Sequence, residues 1–133
     1  MGIRVIIAGS RNITNIALVE LACYQAVQKW AKDGIKDYIT EVVCGEAKGV
    51  DTLGKELAQK GKIPVKSFPA DWNKYGKRAG YIRNSEMANY ADALIAIWDG
   101  KSPGTKMMID LAKKSGLKVF VFQIGDNQND TET

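Results

Sequence analysis

The sequence predicts an α/β fold of about five parallel strands, with helices covering both faces of one sheet. Two observations predict it. Five short, β-rich apolar runs alternate with four stretches whose apolar residues recur at helical spacing. That alternation is the pattern of strands joined by crossover helices, and such sheets are parallel and buried on both sides. Three of the four segments that follow a strand carry glycine, the residue expected where a strand turns into a helix.

The elements follow in order. Residues 4–8 (RVIIA) form the first strand, closed by Gly9-Ser10-Arg11-Asn12. Ile16, Val19, Ala22, Cys23, Ala26, Val27 and Trp30 then mark one helical stripe, with Thr14 or Asn15 as its cap and Asp33-Gly34 as its end. A second strand spans 38–44 and closes in the loop GEAKGVD at 45–51, from which a helix runs to about Lys60 and stops at Gly61. Residues 63–68 read as a third strand and 69–76 (PADWNKYG) as the longest irregular connection, followed by a helix from about Lys77 to Tyr90. The most apolar strand is 91–98 (ADALIAIW); a helix from about Gly104 to Ser115, stopped by Gly116, separates it from the last strand, 117–124. With 133 residues the chain suits one domain, residues 1–125, followed by a polar tail at 126–133 that is expected to be disordered.

Composition narrows the function. A hydrophobic content of 45% is that of a globular protein, and no apolar run approaches the roughly 20 residues of a membrane span. The first residues pass into a strand without a signal-peptide layout, so a cytoplasmic location is expected. Two cysteines, Cys23 and Cys44, fit reduced thiols better than a disulfide framework. The absence of histidine excludes Ser-His-Asp and Cys-His catalysis and argues against a metal site of the zinc type. A net charge of +4 is too mild to indicate nucleic acid by itself.

In a parallel sheet with right-handed crossovers, every strand-to-helix loop emerges at the carboxyl edge, where ligands bind beside the reversal of strand order. Gly9-Ser10-Arg11, the loop from Gly45 through Glu46 and Gly49 to Asp51, and the stretch Asp99, Gly100, Ser102, Gly104, Thr105 would all meet there. Glycine lets backbone approach a ligand closely. A helix start offers unpaired N–H groups and partial positive charge, so the three loops together read as a phosphate cradle. Turn chemistry alone accounts for any single one of them. No Walker A or G-x-G-x-x-G motif is present.

Arg11 and Arg83 have the planar guanidinium that suits a phosphate, while Lys74 and Lys77 read as solvated; Glu86 offers Arg83 an alternative partner. Asp71 and Trp72 sit in the long connection, where Trp72 either stacks on a base or staples its loop. Trp98 reads as core, Tyr81 as core or ligand contact, and Cys44 as core rather than nucleophile.

The motifs GSR at 9–11, GEAKGVD at 45–51, PADWxxxGK at 69–77, AGxxRNxxM at 79–87 and ADALIAxWDGxSxGT at 91–105 resemble the SLOG superfamily, in particular its YspA-like, YpsA-related branch. The resemblance extends over residues 3–124. It implies a Rossmann-like three-layer sandwich that binds nucleotides or nucleotide-derived molecules. Relatives include the LONELY GUY phosphoribohydrolases, the single-stranded-DNA-binding proteins of transformation, and nucleotide-sensing domains of bacterial defence. The phosphoribohydrolases place an arginine where Arg83 stands, followed here by Asn84, but a glutamate where this chain has Met108. A thioether cannot take a proton, which puts that mechanism in doubt. Asp110, two residues on, would project elsewhere on the helix, and Glu46 departs from the small residue usual at its place.

Three functions are therefore expected, in descending order. The first is binding of a nucleotide-derived small molecule, with Mg2+ compatible as a companion of the phosphate. The second is hydrolysis of an N-glycosidic or phosphate bond using Glu46, Asp51 or Asp99 as base. The third is single-stranded nucleic-acid binding, which the mild charge disfavours. A homo-oligomer is compatible with the chain, and no membrane partner is expected.

Overall fold

The computed structural model describes residues 2–34 and 38–124. The expected tail, 126–133, lies outside them. Five strands, β1 (Gly2–Gly9), β2 (Tyr38–Cys44), β3 (Val65–Ser67), β4 (Ala93–Trp98) and β5 (Lys118–Gln123), pair in the order β3-β2-β1-β4-β5, all parallel. Five helices connect them: α1 (Ile16–Lys32), α2 (Val50–Lys60), the single turn α3 (Trp72–Tyr75), α4 (Ala79–Tyr90) and α5 (Pro103–Lys114).

The period of two along the central strands sorts their side chains into two cores. Val5 and Ile7 of β1, with Ala93, Ile95 and Ile97 of β4, pack against α1 and α2 through Val19, Ala22, Ala26, Trp30, Val50 and Ala58. Ile6 and Ala8, with Leu94 and Ala96, face the other way onto Met87, Ala88, Met108, Ile109 and Ala112 of α4 and α5. This is the Rossmann-like three-layer α/β sandwich. Helix α2 lies so close to the sheet that a Cβ at Gly54 would come within 2.7 Å of Ile7 Cγ2. Among the described residues, no helix is long and apolar enough to cross a membrane.

The chain leaves β1 towards one face and β4 towards the other, so the two neighbouring strands diverge at their carboxyl ends and open a crevice.

Several boundaries differ from expectation for local reasons. Asn15 supplies the α1 cap, its side chain accepting from Ala17 N at 3.0 Å. Val27 leaves the buried stripe and is 40% exposed, because Ala26 already occupies the core-facing direction. Ile63 donates its N–H to Ala58 O, closing α2, and Pro64 has no N–H, so β3 starts only at Val65. Ala91 N likewise goes to Met87 O at the end of α4, which delays β4 to Ala93. The connection 69–76 is not wholly irregular, since Asp71 caps the turn of α3, and a 3-10 turn at Gly76–Arg78 precedes α4.

Candidate functional site

The crevice between β1 and β4 holds a cavity of about 460 Å³, a volume in the range of small-molecule sites. One wall comes from the loops after β1 and β2, with Gly9, Ser10, Arg11, Asn12, Ala47 and Asp51. The facing wall comes from α4 (Arg83, Asn84), Asp99, and the start of α5 with Ser102, Pro103, Gly104 and Thr105.

The β1 loop is packed too closely for any side chain at its first residue: a Cβ at Gly9 would lie 2.2 Å from Ile97 O and 2.7 Å from Val50 Cγ2. Ser10 is fully buried. Its N–H donates to Ile97 O at 3.1 Å, its hydroxyl oxygen accepts from Asp99 N (3.2 Å), and the Ser10 and Ser102 hydroxyls lie 3.1 Å apart. Ser10 thus fastens the ends of the two diverging strands. Its hydroxyl is engaged with the turn after β4, and the residue lines the cavity as expected of the first loop.

The stretch after β4 is built around Asp99. Its carboxylate accepts from Lys101 N at 2.9 Å and from both the N–H and hydroxyl of Ser102, at 2.8 and 3.0 Å. Burial opposes its ionisation, but the donors from Ser102, Lys101 and Ser10 outweigh that, and the carboxyl titrates below its usual range. Gly100, at φ 82°, makes the turn and lies off the cavity wall. Pro103 then sets the first helical residue of α5. Gly104 faces open space, with nothing within 4 Å of where its Cβ would be, and Thr105 is buried beside it. Pro103 has no N–H and Lys106 N donates to Ser102 O, so the first turn leaves the N–H groups of Gly104 and Thr105 without a partner in their own helix.

The loop after β2 is organised by contact rather than openness. Gly49, at φ 80°, allows Ser10 O to come within 2.5 Å of where its Cβ would sit, so this glycine joins two loops and does not reach the cavity. Asp51, in the first turn of α2, is buried, with the backbone N–H groups of Ala47, Gly9 and Gly45 around its carboxyl. Burial pushes its carboxyl up to about 6, against the opposing pull of the Arg83 charge and those three N–H groups. Arg83 donates Nη1 to Gly45 O and Nε to Asn84 Oδ1, the latter at 2.8 Å. A Cβ at Gly45 would meet Asp51 Oδ2 at 2.9 Å and Arg83 Nη1 at 3.0 Å. Gly45 is therefore the hinge between carboxylate and guanidinium, and it is not itself on the wall.

The structure brings together Gly9, Ser10, Arg11, Asp51, Arg83, Asn84, Asp99, Ser102, Gly104 and Thr105. It leaves out Gly45, Glu46, Gly49, Asp71, Trp72 and Gly100. Glu46, expected as a pocket acid, points away: its carboxylate accepts from Ser67 Oγ at 2.6 Å and Lys55 Nζ at 2.9 Å. These partners lower its titration. Asp71 caps α3 through Lys74 N at 3.0 Å, and the neighbouring Trp72 Cη2 lies 3.6 Å from where a Cβ on Gly80 would sit. Trp72 therefore lies beside α4, off the cavity wall, and is 54% exposed. Cys44 is buried, its thiol donating to Asp51 O at 3.4 Å and accepting from Glu46 N at 3.3 Å; burial raises it, so it is an inert packing group. Asn12, Ala47, Pro103 and Met107 line the cavity without having been expected there. Asn12 was signalled only by its place in the first loop, and Met107 by nothing beyond its neighbour Met108, which is buried on the same wall. Among the described residues, no group of three His, Cys, Asp or Glu side chains could hold a metal.

A family model described as "YspA, cpYpsA-related SLOG family" matches residues 3–75, more than half of the chain. The chain belongs to this SLOG family. The match contains β1 to α3, and hence Ser10, Arg11 and Asp51; Arg83 and the start of α5 lie beyond it. A relative, the Gene 61 protein of Mycobacterium phage D29, is 37% identical over 87 residues, covering 61% of this chain and 70% of the phage protein. SLOG membership associates the chain with nucleotide-related binding in general.

Proposed function

We propose that the chain binds a nucleotide-derived small molecule whose phosphate lies in the crevice between β1 and β4, against the first turn of α5. The observation that carries this reading is the cavity at the strand-order reversal, lined by Arg11 and Arg83 on two sides and by Gly104 and Thr105 at the start of α5. A helix start and guanidinium groups are complementary to a compact anion, and the empty space at Gly104 lets one approach the backbone. Mg2+ would enter with the phosphate. Asp51 and Asp99 are already engaged by N–H donors, so phosphate oxygens and water would supply most of its ligands. Calorimetric titration with a panel of nucleotides tests the reading. At least one should bind, and Arg83→Met, with an unchanged thermal melt, should weaken that binding at least tenfold, about 1.4 kcal/mol. Silence across the panel from folded protein overturns it.

A second reading, hydrolysis of the bound nucleotide, has one specific observation in its favour. Asp51 is a buried carboxyl facing the cavity beside Arg83, titrating near 6, close enough to neutrality to give and recover a proton. Glu46 and Asp99 are held ionised by their partners and are poorer proton donors. Release of free base or ribose phosphate that is lost in Asp51→Asn and kept in Glu46→Gln supports turnover. Release that survives Asp51→Asn removes Asp51 from it.

A further inference from the structure

A second concavity, about 320 Å³, lies in the groove between α4 and α5. Pro103 and Met107 line both it and the crevice cavity, so they form a low partition between two adjoining spaces. Pro103, Met107 and Leu111 are spaced four residues apart on α5 and make one stripe leading away from the crevice. On α4, Tyr81 and Asn84 are three apart, with Asn84 on the cavity and Tyr81 on the groove.

The chemistry changes across the partition. The crevice offers a guanidinium, an amide and a helix start, whereas the groove offers a phenol ring, a thioether and a leucine. Tyr81 is 49% exposed, and among the described residues its ring pairs with no other aromatic ring. A large ring left in water beside a polar cavity is a stacking platform without its partner, and a methionine facing it adds a soft sulfur surface that favours π-systems. Lys106, Asp110 and Lys114 line the same groove, and the Lys106–Asp110 pair at 2.9 Å leaves the charge of Lys114 beyond it at the far end of the stripe. Next to the crevice the lining is Tyr81, Pro103 and Met107, which suits a planar aromatic group.

We propose that this groove is the base subsite of the ligand, with a nucleobase stacked on Tyr81 and Met107 while the phosphate stays in the crevice. The inference rests on the reading that the crevice binds phosphate, and it names which way the nucleotide points. The ligand is then an elongated molecule crossing the Pro103–Met107 partition, its anionic end enclosed and its aromatic end near the surface.

Calorimetry of wild type, Tyr81→Ala and Tyr81→Phe with two probes, ribose 5-phosphate and adenosine 5′-monophosphate, tests it. In the wild type the adenine should add roughly tenfold in affinity over ribose 5-phosphate, the usual size of one base–aromatic stack. Tyr81→Ala should abolish that gain and leave ribose 5-phosphate binding unchanged, and Tyr81→Phe should keep it. A gain that survives Tyr81→Ala, or no gain in the wild type, overturns the base subsite while the phosphate reading stands. Failure of both probes to bind wild type overturns the base subsite, and silence across the whole nucleotide panel overturns the phosphate reading with it. Sedimentation of the same proteins covers the remaining case: unchanged affinities with a dimer converted to monomer by Tyr81→Ala would assign the groove to a second copy of the chain and overturn the proposal.

Discussion

The two walls of the crevice use the same residue types for opposite ends. On the β1–β2 side glycine closes space: Gly9 and Gly49 let backbone segments touch, and the carboxylate of Asp51 is sunk among three N–H groups. On the α5 side glycine keeps space open at Gly104, and the carboxylate of Asp99 organises a turn while staying ionised. The lesson is that a glycine-rich, carboxylate-bearing loop at a sheet edge has no single meaning. What surrounds the missing Cβ decides whether it is a structural contact or a ligand surface.

The closed wall breaks most readily at Gly49. Gly49→Ala meets a double obstacle, a positive φ of 80° and Ser10 O only 2.5 Å from the new methyl, both of them backbone features that cannot turn aside. A left-handed conformation and a backbone overlap together cost about 3 kcal/mol or more. A large fall in the urea midpoint is expected, and an unchanged midpoint would mean that the two loops are not in contact.

Asp51 separates the walls by pH. In the folded chain burial holds its carboxyl at about 6, whereas an unfolded aspartate titrates near about 3.9. The folded state therefore keeps a proton that the unfolded state has released. The stability from this difference is complete below the lower value and is lost as pH rises through the upper one, a change of roughly 3 kcal/mol. Asp51→Asn removes the titration, so wild type should lose that much stability relative to the variant between about pH 4 and about pH 7. Urea unfolding at the two pH values measures it. A gap of the opposite sign would show that the three N–H groups keep Asp51 ionised throughout, as the turn keeps Asp99.

Much of this organisation is legible in the chain. RVIIA and ALIAIW are apolar at every core position because both faces of the central strands are covered, and the glycines at the ends of β1, β2 and β4 mark the edge where the cavity forms. Arg83, Asn84, Asp99 and Thr105 reach the crevice because element order alone brings their segments to that edge. Side-chain direction is not legible in the same way. Glu46 sits in the middle of an expected ligand loop, but a backbone φ of 62° and the prior claims of Lys55 and Ser67, from two other elements, turn it outward. The Ser10 hydroxyl is spent on the far strand, a contact across 92 residues of sequence to Ser102. Asp71 and Trp72 lie in the longest connection, where Asp71 is spent on capping a short helix and Trp72 lies beside Gly80 of α4, both off the cavity wall. Met107 gives no sign of its role in a pattern that marks only the apolar stripe.

Gly104→Ala is the gentlest change and the one that most directly tests what the open wall is for. The residue is in the first turn of α5, exposed, with nothing within 4 Å of its Cβ position, so the methyl costs no packing. Replacing glycine by alanine in a helix favours the fold by up to about 1 kcal/mol, less at the first turn. The thermal midpoint should therefore hold or rise slightly, the reverse of the Gly49→Ala result. Affinity should move the other way. If a phosphate rests on the N–H groups of this turn, the methyl occupies the space through which its oxygens approach, and nucleotide binding should weaken about tenfold, near 1.4 kcal/mol. Higher stability with weaker binding is the signature of a glycine kept for its ligand. Higher stability with unchanged binding would mean that the anion does not rest on α5, and the two walls would then differ in packing alone.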